Sequence, residues 1–153
     1  GSVSFVMLPI MLMAIRWGLT AGLATGFIIG VLQMMFGAFI VHWLQAILDY
    51  GLAFTVVGFV AVIRNPVLQA AKALDKKKMT IYIILGALLG GILRFVSHLL
   101  AGVVFFSEYA GEDNVWTYSI IYNGSYMLPA TLLTALVAVL LFTAAPRLLK
   151  SMK

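Results

Sequence analysis

Cysteine is absent from this 153-residue chain, acidic side chains number five and prolines four. Without cysteine there is no disulfide framework, no thiolate metal site and no cysteine nucleophile. Charged residues make up 10% of the sequence, well short of the roughly 25% of a soluble domain, while 63% is hydrophobic. That balance excludes a soluble enzyme, a disordered segment and a coiled coil. Signatures of chemistry are missing too. There is no phosphate-binding P-loop, no HExxH and no GxSxG, so no catalytic residue, cofactor or metal is expected. Gly1-Ser2 shows no charged n-region, and no secretory signal is expected there.

What is present is a series of apolar runs, with a mean hydropathy of +1.10 over the chain. Phe5–Ile15 is too short to cross a bilayer, about 16 Å at 1.5 Å per residue, and reads as a short or half-buried helix. Leu19–Val41 holds no charge and is long enough to span. Trp43–Ile63 is a second span, interrupted by Asp49 and stopped by Asn65-Pro66. Met79–Phe106 carries Arg94 and His98 inside it, and Tyr118–Ala145 is the last span, broken at Pro146. The chain is therefore expected to be a single all-α transmembrane domain over residues 1–153. Four full spans and one short helix make up the bundle.

The formal net charge of +5 is a topology signal rather than a nucleic-acid signal. With the Arg64–Lys78 loop placed in the cytoplasm, Arg16 and the tail with Arg147, Lys150 and Lys153 fall on the same side. The loop with Glu108, Glu112 and Asp113 then lies outside, and Gly1 begins outside. Gly18, Gly22, Gly26 and Gly30 recur every four residues, and Gly86 and Gly90 repeat the spacing. The stripe is expected to serve close helix packing within the monomer, with a docking face for a partner as the alternative.

Ionisable residues inside a span are costly and mark function by default. Asp49, Arg94 and His98 are the deep ones, with His42 near a helix end. Arg94 and His98, four apart, share a helix face, and helical rise puts His98 and Asp49 at the same depth near the outer surface. Tyr50, Phe105, Phe106, Tyr109, Trp116, Tyr118, Tyr122, Asn123 and Tyr126 gather there too. Rings with one carboxylate, one imidazole and one amide suit a flat, cationic, hydrogen-bonding ligand. Each feature also has a plainer reading: an interfacial aromatic belt, an Asp49–Arg94 ion pair, or a histidine bonded to a neighbouring helix.

The pieces SVSFVMLPI, ILDYGLAFTVVGF, RFVSHLLAGVVFF and YSIIYNGSYMLP, in that order, resemble the thiamine-specific S component of energy-coupling factor transporters, the ThiT or YuaJ family. The resemblance implies a six-helix membrane fold of which five helices are here, the first being expected upstream of Gly1. It implies a bacterial cell-membrane protein that captures thiamine or a close analogue at the outer face. Its partners are then a transmembrane coupling protein and two ATPase subunits. Carried over by residue, it assigns substrate binding to Asp49 and Tyr50, His98 and Gly102, and Tyr118 and Asn123. Phe106 stands in the region of an aromatic that follows the histidine, and Trp116 is the ring expected to stack from the loop. Two other readings remain open on the residues alone: a proton-coupled secondary transporter using Asp49, Arg94 and His98 as a relay, and a ligand-free structural subunit.

Overall fold

The structure, a computed structural model, describes residues 1–150. Five helices form it: α1 (Met7–Trp17), α2 (Leu19–Met35), α3 (Trp43–Lys72), α4 (Lys76–Phe105) and α5 (Val115–Ala144). Short 3-10 turns follow at Ser107–Ala110 and Pro146–Leu148. Helices α3, α4 and α5 each have 30 residues and are apolar enough to cross a membrane, whereas α1 and α2 are shorter. Outward-facing Leu128, Leu132, Leu136 and Leu140 form one stripe along α5, four residues apart. Such a face is stable in lipid and not in water.

Helix α1 is short but deeply placed. Met7, Ile10, Met11, Ala14 and Ile15 follow helical periodicity, and all are buried. At its end Gly18 adopts φ +101°, a left-handed turn that costs glycine little, and its N–H caps the Ala14 carbonyl at 3.0 Å. The chain thereby reverses into α2.

Helix α2 does not run to Val41 as the charge-free stretch implies. It ends at Met35, Gly37 takes φ +112°, and the segment after Phe36 crosses the end of the bundle as a loop before α3 begins at Trp43. Absence of charge reports immersion in lipid, not continuity of helix. Gly22, Gly26 and Gly30 lie buried against the backbone of α3. A Cβ would stand 2.8 Å from the Gly58 oxygen at Gly22, 2.2 Å from the Phe54 oxygen at Gly26 and 2.1 Å from the Tyr50 oxygen at Gly30. The stripe is internal packing, and its fourth member, Gly18, is the turn instead.

Helix α3 is continuous but unevenly wound. It is α-helical at Trp43–Ala46, a π-helix over Ile47–Leu52, α-helical at Ala53–Thr55, a 3-10 helix over Val56–Ile63 and α-helical again at Arg64–Lys72. Asn65-Pro66 therefore does not stop it. Pro66 falls in the first turn of the new α-segment, where a missing N–H leaves no helical hydrogen bond unmade. The true break is the turn around Leu74 (φ 57°), after which Asp75 caps α4 through the Lys78 N–H at 3.1 Å.

Three arginines, Arg16, Arg64 and Arg147, mark one end, and Lys153 lies outside the described residues. Arg16 Nη1 donates to the Arg147 and Leu148 carbonyls at 3.0 and 2.8 Å, and Arg64 Nη2 donates to the Arg16 carbonyl at 3.3 Å. The C-terminal turn, the α1–α2 turn and the later part of α3 are thus tied together. The start of α3, the end of α4 and the start of α5 form the opposite end.

Candidate functional site

At that opposite end lies a cavity of about 340 Å³. It is lined by Gly1, Phe39, Asp49, Tyr50, His98, Gly102, Phe106, Tyr109, Tyr118, Ser119, Tyr122, Asn123 and Tyr126. Seven of these thirteen residues carry six-membered aromatic rings, one carries a carboxylate, and none is Lys or Arg. A site of this size and lining accommodates a small organic molecule.

Asp49 and Tyr50 sit in the π-helical stretch of α3. Such stretches loosen the backbone ladder and recur at functional sites. Here the loosening is compensated from α4, whose Ser97 hydroxyl donates to the Leu48 carbonyl at 2.5 Å. The Asp49 carboxylate is held from both sides. His98 Nδ1 lies 2.8 Å from Oδ1, and Gln45 Nε2 donates to Oδ2 at 2.8 Å.

The state of the imidazole follows from its other nitrogen. Arg94 Nε, which can only donate, points at His98 Nε2 at 3.1 Å. The proton of the imidazole therefore belongs on Nδ1, directed at Asp49. Arg94 does not touch Asp49 in an ion pair; His98 stands between them. Its guanidinium lies 4.6 Å over the Phe54 ring, and Nη1 finds no hydrogen-bond partner among the described residues. Edges of Phe54 and Tyr126 flank the imidazole, with ring centroids at 6.2 and 5.8 Å.

The α5 wall is built on one helix face. Tyr118 and Tyr122 stack with centroids 6.0 Å apart and 18° between planes, and Tyr126 meets Tyr122 edge-on. Asn123 is almost wholly buried: its Nδ2 donates to the Ser119 carbonyl (3.0 Å), Ser119 Oγ (3.1 Å) and the His98 carbonyl (3.3 Å). Its Oδ1 accepts from the Tyr126 hydroxyl. Gly102 makes this approach possible, because a Cβ there would stand 2.3 Å from Ser119 Oγ and 3.3 Å from Asn123 Nδ2. Gly102→Ala is expected to cost about 1–3 kcal/mol by overpacking. The measurement is the Tm of the detergent-purified protein; no change in Tm would mean that Ser119 swings aside freely.

Of the eight residues singled out from the sequence, Asp49, Tyr50, His98, Gly102, Phe106, Tyr118 and Asn123 line this one cavity. Trp116 does not. It follows the Asn114 cap of α5, whose side chain accepts from the Trp116 N–H at 2.9 Å, and its indole is half exposed on the outside of the bundle. Position 116 stands in the first turn of α5, one turn before Ser119 and two before Asn123, and its indole lies at the exposed end of that face rather than among the lining residues. His42 is not a wall residue either; its Nδ1 caps the Leu44 N–H, and its ring stacks between Trp43 and Phe105.

Sequence reasoning missed Phe39, Ser119 and Gln45. Phe39 was hidden in a stretch read as membrane span. Ser119 is a common residue whose value depends on Gly102 opposite. Gln45 carried a usable signal: it precedes Asp49 by four residues, one helical turn, where an amide reaches a carboxylate.

The family model described as thiamine transporter protein (Thia_YuaJ) matches residues 1–150. A thiamine transporter ThiT of Bacillus subtilis is 41% identical over 155 aligned residues, covering all of this chain and 81% of that protein. A second ThiT, from Lacticaseibacillus paracasei, is 35% identical over 95% of this chain and 75% of its own length. A solved structure of ThiT from Listeria monocytogenes superposes with a TM-score of 0.90 at 31% identity, covering 97% of this chain and 82% of that one.

Proposed function

Because the chain belongs to the thiamine transporter (Thia_YuaJ) family, we propose that it is the thiamine-binding subunit of an energy-coupling factor importer, capturing the vitamin at the extracellular face. It is a multi-pass membrane transport protein and not an enzyme. The single observation that carries the ligand reading is Asp49: one carboxylate, gripped by His98 and Gln45, in a cavity lined mostly by rings. Thiamine joins a fixed positive charge on one flat ring to a hydrogen-bonding aminopyrimidine. The carboxylate supplies the counter-charge, and each well-placed ring adds about 0.5–2 kcal/mol to the holding of a cation.

His98, Tyr118 and Asn123 act as hydrogen-bonding residues, and Tyr50 and Phe106 supply ring contact. Unphosphorylated thiamine suits the site better than its phosphate esters, since the lining offers an added anion a carboxylate and no Lys or Arg. These 153 residues contain no P-loop. ATP hydrolysis then belongs to two ATPase partners joined through a transmembrane coupling protein. The end that gathers Arg16, Arg64 and Arg147 faces the cytoplasm, where basic loops concentrate.

Calorimetric titration of the detergent-purified protein tests the reading. A saturable heat with thiamine and a weaker one with thiamine monophosphate are expected. No heat with thiamine would overturn it.

A further inference from the structure

The segment Gly37–Val41 passes over the cavity without regular structure, yet it presents Phe39 to the cavity and rests that ring on Phe106, with centroids 6.0 Å apart. Phe39, Ile40 and Val41 are all about half exposed, so packing within the protein holds only part of each side chain. Three hydrogen bonds tie its backbone to α3. The Phe39 N–H donates to the Tyr50 hydroxyl at 3.0 Å, the Val41 N–H donates to Gln45 Oε1 at 3.0 Å, and the Phe39 carbonyl accepts from Gln45 Nε2 at 3.0 Å.

Gln45 makes two of those three bonds. It is 1% exposed, and its remaining bond goes to Asp49 Oδ2. One amide thus reads the loop on one side and the carboxylate on the other, with both Nε2 hydrogens and the oxygen engaged. A buried amide bonded this completely holds one orientation, because a flip would set its oxygen against the Phe39 carbonyl and the carboxylate together.

We propose that Gln45 is a positioning residue that couples the Gly37–Val41 segment to Asp49, so that a cation paired with the carboxylate also holds the loop over the cavity. This rests on the reading of Asp49 as counter-charge to thiamine. Through Gln45, an Asp49 fixed by ligand anchors the amide, and the anchored amide fixes Phe39 and Val41. Escape of the ligand then requires breaking the latch as well as the ion pair. The effect therefore falls on the dissociation rate more than on association.

The test combines hydrogen exchange, stopped-flow kinetics and a double-mutant cycle, all on the full chain. In the wild type, thiamine is expected to slow exchange of the Phe39 and Val41 amides. In Gln45→Met, which keeps the volume and loses the bonds, that protection disappears and thiamine dissociates about tenfold faster. Gln45→Glu, which keeps an acceptor for the Val41 N–H but sets a second carboxylate beside Asp49, should show the same loss if the methionine variant does not fold. In an Asp49→Asn background, Gln45→Met should change affinity less than in the wild type, because the coupling partner has gone. Ligand-dependent protection that survives in the Gln45 variants, or costs that simply multiply in the double mutant, would overturn the coupling while leaving thiamine binding intact. Failure of the wild type to bind thiamine would instead remove the ligand reading on which the coupling stands.

Discussion

Asp49→Asn is expected to weaken thiamine binding by about 10- to 100-fold, the equivalent of one desolvated charge-assisted hydrogen bond. The substitution keeps the shape of the side chain and removes its charge. It also spoils the hydrogen bonding, for the carboxylate now accepts on both oxygens, from His98 and from Gln45. An amide that offers its oxygen to the His98 Nδ1–H turns its NH2 toward the Gln45 Nε2–H, donor against donor. Asp49→Ala leaves both donors without an acceptor and should lose at least as much. A neutral pyrimidine lacking the thiazolium ring separates charge from shape: its affinity should fall far less in Asp49→Asn than that of thiamine. Calorimetry on the two ligands reads both effects. An unchanged thiamine affinity would remove Asp49 from the site.

Gly26→Val is expected to produce the largest loss of stability. Its first side-chain carbon would lie 2.2 Å from the Phe54 carbonyl oxygen and 2.9 Å from the Thr55 Cα, both backbone atoms that no rotamer change can move. Helices α2 and α3 would have to part. Overpacking of a well-filled interior costs about 1–3 kcal/mol where side chains can yield, and here the upper end or more is expected. The site is strained as well, since one turn further on Gly30 packs on the Tyr50 carbonyl, next to Asp49. A lower Tm together with lost thiamine binding is the anticipated result. Gly124→Ala is the control: on α5, with nothing within 4 Å of the added carbon, it should leave Tm unchanged or slightly raised. Equal Tm values for Gly26→Val and Gly124→Ala would contradict close packing of α2 on α3 at Gly26.

Much of the site was legible beforehand because helices convert spacing into geometry. Tyr118, Tyr122 and Tyr126 at intervals of four had to share a face, and so did Arg94 and His98. Rise per residue put Asp49 and His98 at one depth before any contact was known. Phe39 was not legible, because nothing in an uncharged run marks where helix gives way to loop. Trp116 shares the face of Ser119 and Asn123 by spacing, and spacing does not tell that its ring, in the first turn of α5, is half exposed instead of lining the cavity. The alternative Asp49–Arg94 ion pair was legible as a possibility and not as an outcome, since sequence spacing cannot say that His98 intervenes.

By itself the sequence determined the solvent and the class of this protein. Hydropathy and charge are sums over residues, and the partition of side chains between lipid and water depends on those sums alone. It also determined the family, since the ordered motifs run through the whole chain. Only the tertiary structure decided how the carboxylate is held. The π-helical turn at Asp49, the Ser97 and Gln45 bonds that support it and the approach permitted at Gly30 and Gly102 all depend on contacts between distant segments. Helical periodicity is local and can be counted along the chain. Hydrogen-bond partners across helices depend on the angle and separation at which those helices meet, and these are set by packing.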